Sequence, residues 1–332
     1  MSYPTLRLHP RKEESVLRFH PWIFSGAIAS FSAPVEDGDL VSVVDSKGRP
    51  LGTGHFGGGS IAVRLLSFDA EEVIDRAFYK RRLEAALRLR LSCDLVRPVG
   101  SSDSPNTTYR LVHGEGDSLP GLIIDIYDRT AVVQAHSLGM HQARQTIAEV
   151  LWEVFAEAGD PVLPLEGIYY KSETTLPTRD MRELASDGFL IGHTEAAPIY
   201  ENGVRFTPDW LKGQKTGFFI DQRDNRALVA HYAKGRTVLN AFCYTGGFSI
   251  YALHAGAKRV DSLDSSAKAM YLTEQHVALN FGTDCPRHHS VTEDAFDYLE
   301  RMPEGEYDLI ILDPPAFAKH RKVLRNALIG YR

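Results

Sequence analysis

Thr237-Val-Leu-Asn-Ala-Phe-Cys-Tyr-Thr-Gly-Gly-Phe-Ser249 is the stretch on which the reading of this chain turns. Thr237-Val-Leu-Asn-Ala-Phe242 is an apolar run of strand length, Cys243-Tyr-Thr-Gly-Gly247 is a glycine turn, and Ile250, Leu253 and Ala257 continue at helical spacing. Strand, glycine turn and helix together can cradle a nucleotide, because glycine lets the backbone approach a ligand and the N–H groups of the helix face it. Two adjacent glycines alone are weak evidence, and the order of the next elements strengthens them. Lys258-Arg-Val-Asp-Ser-Leu-Asp264 reads as a second strand, ending in a carboxylate about 20 residues after the glycines, where an acid can accept hydrogen bonds from both ribose hydroxyls. A helix through Met270 to Asn280 follows, then a third strand, His288-His-Ser-Val-Thr292, with Glu293-Asp294-Ala295 at its tip. Tyr307-Asp-Leu-Ile-Ile-Leu312 reads as a fully buried parallel strand that ends in Asp313-Pro-Pro-Ala-Phe317. The repetition predicts an α/β, doubly wound sheet with polar groups gathered at the carboxyl ends of its strands. Asp313 followed by Pro314 and Pro315 would project a rigid, donor-free loop that holds a planar base against Phe317 while the carboxylate meets the polar edge of the base.

The remaining residues bound this reading. A chain of 332 residues, with 43% hydrophobic and 24% charged residues, is long enough for two or three globular domains and is neither disordered nor fibrous. No run approaches the roughly 18 apolar residues of a membrane span, so no membrane partner is expected. The first residues, MSYPTLRLHPRKEES, have no apolar signal core, which predicts a cytoplasmic protein. Three cysteines (Cys93, Cys243, Cys285) form no CxxC pair, which argues against a disulfide framework, and no metal-ligand spacing is present.

Three segments follow from composition and pattern. Residues 1–70 contain short β-type runs, Asp39–Asp45 and Ser60–Leu66, separated by the glycine-rich stretch Leu51-Gly-Thr-Gly-His-Phe-Gly-Gly-Gly59. They suggest a small barrel or sandwich, in which those glycines form a wide turn or bulge, or else cradle a phosphate. Residues 71–190 open with a helix from Glu71 to Leu91, with Val73, Ala77, Leu83, Leu87 and Leu91 as its expected buried stripe. Arg76, Lys80, Arg81, Arg82, Arg88 and Arg90 on that helix are either a solvated face or a phosphate-contacting one. Gly121–Tyr127 and Thr130–His136 predict two strands joined at Asp128-Arg129, a helix through Ile147 to Phe155 follows, and Gly167–Lys171 reads as a further strand, making a central α+β module. His136 and His141 read as structural. Residues 191–332 hold the sheet described first. The net charge of −6 does not favour a nucleic-acid partner, but it is unevenly spread: residues 1–70 are balanced, 71–110 carry a small basic excess, and all of the acidic excess lies beyond. Any RNA contact is therefore expected to be local.

At the level of Asn240-Ala-Phe-Cys-Tyr-Thr-Gly-Gly-Phe-Ser249, Asp264-Ser265, Glu293-Asp294 and Asp313-Pro-Pro-Ala-Phe317, the chain resembles the class I S-adenosylmethionine-dependent methyltransferases. Lys215-Thr-Gly-Phe-Phe-Ile-Asp-Gln-Arg-Asp-Asn-Arg226 is similar to the segment preceding that fold in the bacterial enzymes that make 5-methylcytosine in 23S rRNA. Arg18-Phe-His-Pro-Trp-Ile-Phe-Ser-Gly26 is similar to the PUA RNA-binding domain of that family, and Leu111–Leu122 to its central domain. The resemblance implies a PUA-like small β-barrel, a central α+β domain and a Rossmann-like methyltransferase domain. It also implies S-adenosyl-L-methionine as cofactor and 23S rRNA as partner, with a homodimer as a candidate assembly. By the same resemblance, Asn240, Phe242, Thr245, Gly246 and Gly247 wrap the methionine part of the cofactor and Asp264, with Ser265 beside it, meets the ribose. Asp294 and Ala295 flank the adenine, Gln222 and Arg223 close the site, and Asp313, Pro314, Pro315 and Phe317 seat the target base.

Transfer to C5 of cytosine needs a cysteine thiolate that adds to C6, and the family places this cysteine in a motif that follows Asp313-Pro-Pro-Ala-Phe317. The chain stops at Arg332 before such a motif. Cys243, in the cofactor loop, reads as a small buried residue, and Cys285 has no adjacent base. By family analogy the strands present order 3-2-1-4, which leaves Tyr307–Leu312 at an open edge that folded proteins avoid. The expectation is a C-terminally truncated chain that binds cofactor weakly and lacks 5-methylcytosine activity. Two other readings stand beside cytosine methylation: an rRNA guanine methyltransferase, whose target nitrogen attacks directly, and a non-catalytic RNA-binding protein.

Overall fold

The computed structural model describes residues 3–101, 104–177 and 186–315. The chain divides into two compact units, Met1–Asn202 with Pro208–Ile220, and Gly203–Thr207 with Asp221–Arg332.

The first unit opens with β1 (Thr5–Leu8), a short helix α1 (Glu14–Leu17), β2 (Trp22–Phe24), β3 (Ile28–Phe31), β4 (Leu40–Val44), β5 (Pro50–Phe56) and β6 (Ile61–Ser67). These strands form one six-stranded sheet in the order β2-β6-β5-β4-β1-β3, over a core that includes Leu6, Leu8, Val41, Val43, Val63 and Leu65. The glycine-rich stretch is not all turn. Gly52 and Gly54 lie inside β5, and the β5–β6 register shifts between Thr53 and Gly54. A Cβ on Gly54 would lie 2.2 Å from the Arg64 carbonyl oxygen, so glycine is required there by the neighbouring strand.

The same unit continues through α2 (Arg76–Ser92), β7 (Thr108–His113), β8 (Leu122–Tyr127), β9 (Thr130–Ala135), α3 (Leu138–Gln142), α4 (Arg144–Ala158), β10 (Gly167–Tyr170), β11 (Gly188–Gly192) and β12 (Ile199–Glu201). Strands β7 to β11 form a five-stranded sheet in the order β11-β10-β9-β8-β7. The β8–β9 pair is antiparallel and closes through Asp128 in a left-handed conformation, which aspartate tolerates in tight hairpins. Helices α2 and α4 share its core with Leu111, Ile124, Val133 and Ile168.

Two expectations for α2 need correction. The Asp75 side chain accepts the Phe78 N–H at 2.9 Å and caps the helix, so the helix starts at Arg76 rather than Glu71. Residues 71–74 therefore lie outside it, and the buried face is Phe78, Tyr79, Leu83, Ala86, Leu87 and Arg90, while Val73 is 60% exposed and Ala77 lies in solvent.

The second unit comprises β13 (Val204–Phe206), α5 (Arg223–Ala233), β14 (Thr237–Ala241), α6 (Gly247–His254), β15 (Arg259–Asp264), α7 (Ala267–Phe281), β16 (His288–Thr292), α8 (Ala295–Arg301) and β17 (Leu309–Leu312). Its four-stranded sheet is parallel throughout, in the order β16-β15-β14-β17. Strand alternation sends successive residues to opposite faces. Ser249 of α6 meets Asn240 and Ser262 on one face, and Ala295 of α8 packs with Leu239, Ala241 and Leu263 on the other. Helices on both faces of a parallel sheet make the doubly wound α/β arrangement. The expectation that the last strand is fully buried is overturned: Ile310 is 39% and Leu312 57% exposed. Among the described residues β17 pairs only with β14.

Candidate cofactor-binding site

The loop from β14 into α6 is held in an uncommon backbone conformation. Phe242, Tyr244 and Gly246 all have left-handed φ values, of 57°, 49° and 74°. Two of these are not glycine, and such residues persist only where their surroundings over-determine them. The restraints are visible. The Cys243 N–H donates to the Leu263 carbonyl at 3.0 Å, and the Tyr244 N–H donates to Asp264 Oδ2 at 3.0 Å. Thr273 Oγ1 donates to the Tyr244 carbonyl at 3.1 Å, and His276 Nδ1 lies 2.9 Å from the Thr245 carbonyl oxygen. A Cβ on Gly246 would stand 2.5 Å from Thr273 Cγ2, so only glycine fits between the loop and α7. Gly247 packs against α5, where a Cβ would come within 3.2 Å of Arg226 Cδ.

Asp264 ends β15 beside this loop. Its Oδ1 accepts the Ser266 N–H at 2.9 Å while Oδ2 takes the Tyr244 N–H, so each oxygen of the carboxylate keeps further acceptor capacity. Ser265 is exposed next to it. Asp294 caps α8, with Oδ1 accepting the Phe296 N–H at 2.8 Å, and Ala295 is buried behind it. The Phe242 and Phe296 rings meet edge to face at 5.9 Å, adding an apolar surface to the same strand ends. Gln222 precedes α5 and its Oε1 accepts from Asn225 Nδ2 at 2.7 Å, while Arg223 is buried in the same helix. The β14–β17 register pairs Ala241 with Leu312, so exposed Asp313, followed by Pro314 and Pro315, leaves the sheet next to the start of the loop. Phe317 lies outside the described residues.

Asn240 is 1% exposed and anchors a buried polar chain. Its Nδ2 donates to Ser249 Oγ at 2.9 Å, Ser249 meets Ser262 at 2.6 Å, and Ser262 meets His288 Nε2 at 2.8 Å. Asn240 Oδ1 has no partner among the described residues. Burial pushes His288 down to about 4, which keeps it neutral at physiological pH. Burial, reinforced by the Asp264 carboxylate, pushes the Cys243 thiol up to about 12, and its Sγ packs 3.6 Å from Met270 Sδ. A thiol so placed stays protonated, so Cys243 is a packing residue and not a nucleophile.

The structure thus brings Asn240, Phe242, Thr245, Gly246, Gly247, Asp264, Ser265, Asp294 and Ala295 to the carboxyl ends of adjacent parallel strands, where open α/β sheets bind ligands. Left-handed turns, a strand-end carboxylate, an aromatic pair and an unpaired carboxamide oxygen suit a ligand carrying a nucleoside and an amino-acid group. Sequence reading passed over Ser249, Ser262, Thr273 and His276. Met270, Thr273, His276 and Val277 share one face of α7, and that spacing reads as an ordinary buried stripe.

The basic helix requires a correction. Arg90 is buried, its guanidinium pairs with both oxygens of Asp117, and its Nε donates to the Arg110 carbonyl at 2.8 Å. It is a structural ion pair and cannot contact a phosphate. Arg76 pairs with Glu149 and Glu153, and Lys80 with Glu153 and Glu157, so these cations join α2 to α4. Arg81 and Arg82 pair with Glu72, and Arg88 lies 3.9 Å from Glu84. The helix is charge-balanced by its own unit.

Comparison with known proteins agrees with this geometry. Residues 6–68 match the PUA-like domain family, and residues 178–330 match the S-adenosylmethionine-dependent methyltransferase family. Ribosomal RNA large subunit methyltransferase I of Alteromonas mediterranea is 38% identical over 331 residues, covering 98% of this chain and 79% of that protein. The protein of the same name from Shewanella denitrificans is 40% identical, covering 98% of this chain and 80% of its own length. A solved chain assigned to the methyltransferases, in complex with SAH, superposes with a TM-score of 0.77 at 24% identity, over 99% of this chain and 82% of its own, and supports the fold. The chain therefore belongs to the ribosomal RNA large subunit methyltransferase I family, with a PUA-like domain near its N-terminus and an S-adenosylmethionine-dependent methyltransferase domain toward its C-terminus.

Proposed function

We propose that this protein methylates a base of large-subunit (23S) ribosomal RNA and that the target atom is C5 of a cytosine. The observation that carries the cofactor half is the over-restrained Phe242–Gly247 loop beside the Asp264 carboxylate. In this reading Asn240, Phe242, Thr245, Gly246 and Gly247 hold the amino-acid end of S-adenosylmethionine. Asp264, with Ser265 beside it, accepts its ribose hydroxyls, Asp294 and Ala295 border the adenine, and Gln222 and Arg223 close the site. Bound there, the cofactor supplies an electrophilic methyl group.

The protein's own contribution is orientation and exclusion of water. Asp313 meets the polar edge of the flipped base, and Pro314 and Pro315 keep the loop rigid and free of competing N–H donors. Phe317, by its place after the prolines, is assigned the stacking role. A C5 transfer also requires a thiolate to add to C6, and the thiol of Cys243, pushed up to about 12, is not that group. The RNA is expected to reach the first unit away from α2, whose cations already have intramolecular partners.

Mass spectrometry of nuclease fragments of 23S rRNA, from cells with and without the gene, tests the reading. Loss of one 5-methylcytosine is expected. Loss of a methylguanine instead would overturn the cytosine assignment, and unchanged rRNA would overturn the function.

A further inference from the structure

We propose that His276 is a positioning residue for the cofactor: its Nδ1–H holds the Thr245 carbonyl and thereby sets the Tyr244–Gly246 turn for S-adenosylmethionine. The inference rests on the cofactor reading above and assigns a role to a residue of α7 that lies outside the loop itself.

The protonation state of the ring follows from its partners. Nδ1 faces the Thr245 carbonyl oxygen at 2.9 Å, and an oxygen without hydrogen can only accept, so Nδ1 carries the proton. Nε2 takes the Thr207 N–H at 3.1 Å, which requires a lone pair there. The Thr207 carbonyl is farther from Nε2, at 3.4 Å. His276 is therefore the neutral Nδ1–H tautomer, and burial, which pushes its pKa down, keeps it neutral. The ring has no room to turn: it is 3% exposed, and the Phe206 ring meets it edge to face at 5.4 Å.

The bond matters because of what it fixes. The Thr245–Gly246 peptide is engaged at both ends: its carbonyl goes to His276, and its N–H, that of Gly246, donates to the Cys243 carbonyl at 2.9 Å. With both ends held, the peptide plane cannot rotate, and Gly246 stays in its left-handed conformation against Thr273. Three groups grip the turn, namely Asp264, Thr273 and His276. His276 alone also ties it to Thr207, in the strand-end segment that precedes the sheet in sequence. Without the Nδ1–H bond the Thr245–Gly246 peptide is held only through its Gly246 N–H, and the ligand must select one orientation on binding.

Two substitutions separate positioning from packing. Asparagine places its amide nitrogen near the Nδ1 position and can still donate to Thr245, whereas glutamine reaches the Nε2 position and can still accept from Thr207. Each keeps one of the two buried bonds. His276→Asn is expected to hold the dissociation constant for S-adenosylmethionine within about twofold of the parent, and His276→Gln to weaken it about tenfold, by isothermal titration calorimetry. A role confined to stability would shift both alike, so equal dissociation constants for the two variants would overturn the proposal.

The unsubstituted protein supplies a test that does not depend on a variant folding. The groups facing the ring are the Thr245 carbonyl, the Thr207 backbone and the Phe206 ring. Protonation at Nε2 would set one N–H against another. Affinity should be level from pH 7 through the ordinary histidine range and weaken only on the acid side of it, because burial pushes the ring's pKa down. His276→Asn should remove that weakening. Affinity that shows no acid-side weakening at any pH where the protein stays folded, or that weakens equally in His276→Asn, would overturn the role. Absence of any binding heat in the unsubstituted protein would instead overturn the cofactor reading on which the role depends.

Discussion

Helix α2 and the loop between β14 and α6 carry the strongest polar signals in this chain, and the fold uses them in opposite ways. The helix has six cations, five on its exposed and half-buried faces and Arg90 on its buried one, and every one of them finds a carboxylate of its own unit, from Glu72 and Glu84 nearby to Asp117 and Glu149–Glu157 farther along. The loop has no such density of charge. Its distinction is backbone held in left-handed conformations by neighbours that close around it. The comparison teaches that charge is easily satisfied within a fold, whereas restrained, uncommon backbone has to be maintained against its own conformational cost and so points to a site.

The contrast can be broken or sharpened by experiment. Arg90→Met should cost the most, because it strands the buried Asp117 carboxylate. A loss of about 3–5 kcal/mol in urea unfolding is expected, with the S-adenosylmethionine dissociation constant unchanged. A loss below about 1 kcal/mol would mean that the pair does not hold the helix. Gly246→Val places a branched side chain at a left-handed φ and against Thr273, and should weaken cofactor binding about 100-fold by calorimetry. Binding that survives this substitution would remove the loop from the site. Asp264→Asn keeps the shape, loses the charge, and exchanges one acceptor for a donor, so about a tenfold weakening is expected in the same titration. The smallest effect belongs to the helix surface: Arg76→Ala with Lys80→Ala should move Tm by no more than about 2 °C and leave 23S rRNA affinity, measured by filter binding, within about twofold. A large drop in that affinity would restore α2 as an RNA-contacting face.

Much of the second unit was legible before any coordinates. The strands at Thr237–Ala241, Arg259–Asp264 and His288–Thr292 announce themselves by short apolar runs between glycine, charge and proline, and the strand order 3-2-1-4 was implied by the family resemblance. Asp264 and Asp294 are legible too, because an acid at a strand tip or helix start is a local feature. The burial of α2 was legible only in part: Leu83 and Leu87 face the core as their spacing predicts, whereas the capping bond at Asp75 leaves Val73 outside the helix and Phe78 and Tyr79 take its first buried positions. The half-exposure of Ile310 and Leu312 was legible only in part: the apolar run reads as a buried strand, while the strand order implied by the family resemblance puts it at an edge.

Chain order alone therefore specifies the alternation of strand and helix, the glycine turn and the acids at the strand ends, because these depend on periodicity and on the backbone preferences of neighbouring residues. Which cations stay available, which thiol can ionise, and which histidine grips the turn depend on groups far apart in the chain. Arg90 meets Asp117, Cys243 meets Met270, and His276 meets both Thr207 and Thr245. Burial and hydrogen bonding set the charge and reach of each side chain, and both are properties of the packed fold, not of the neighbouring residues.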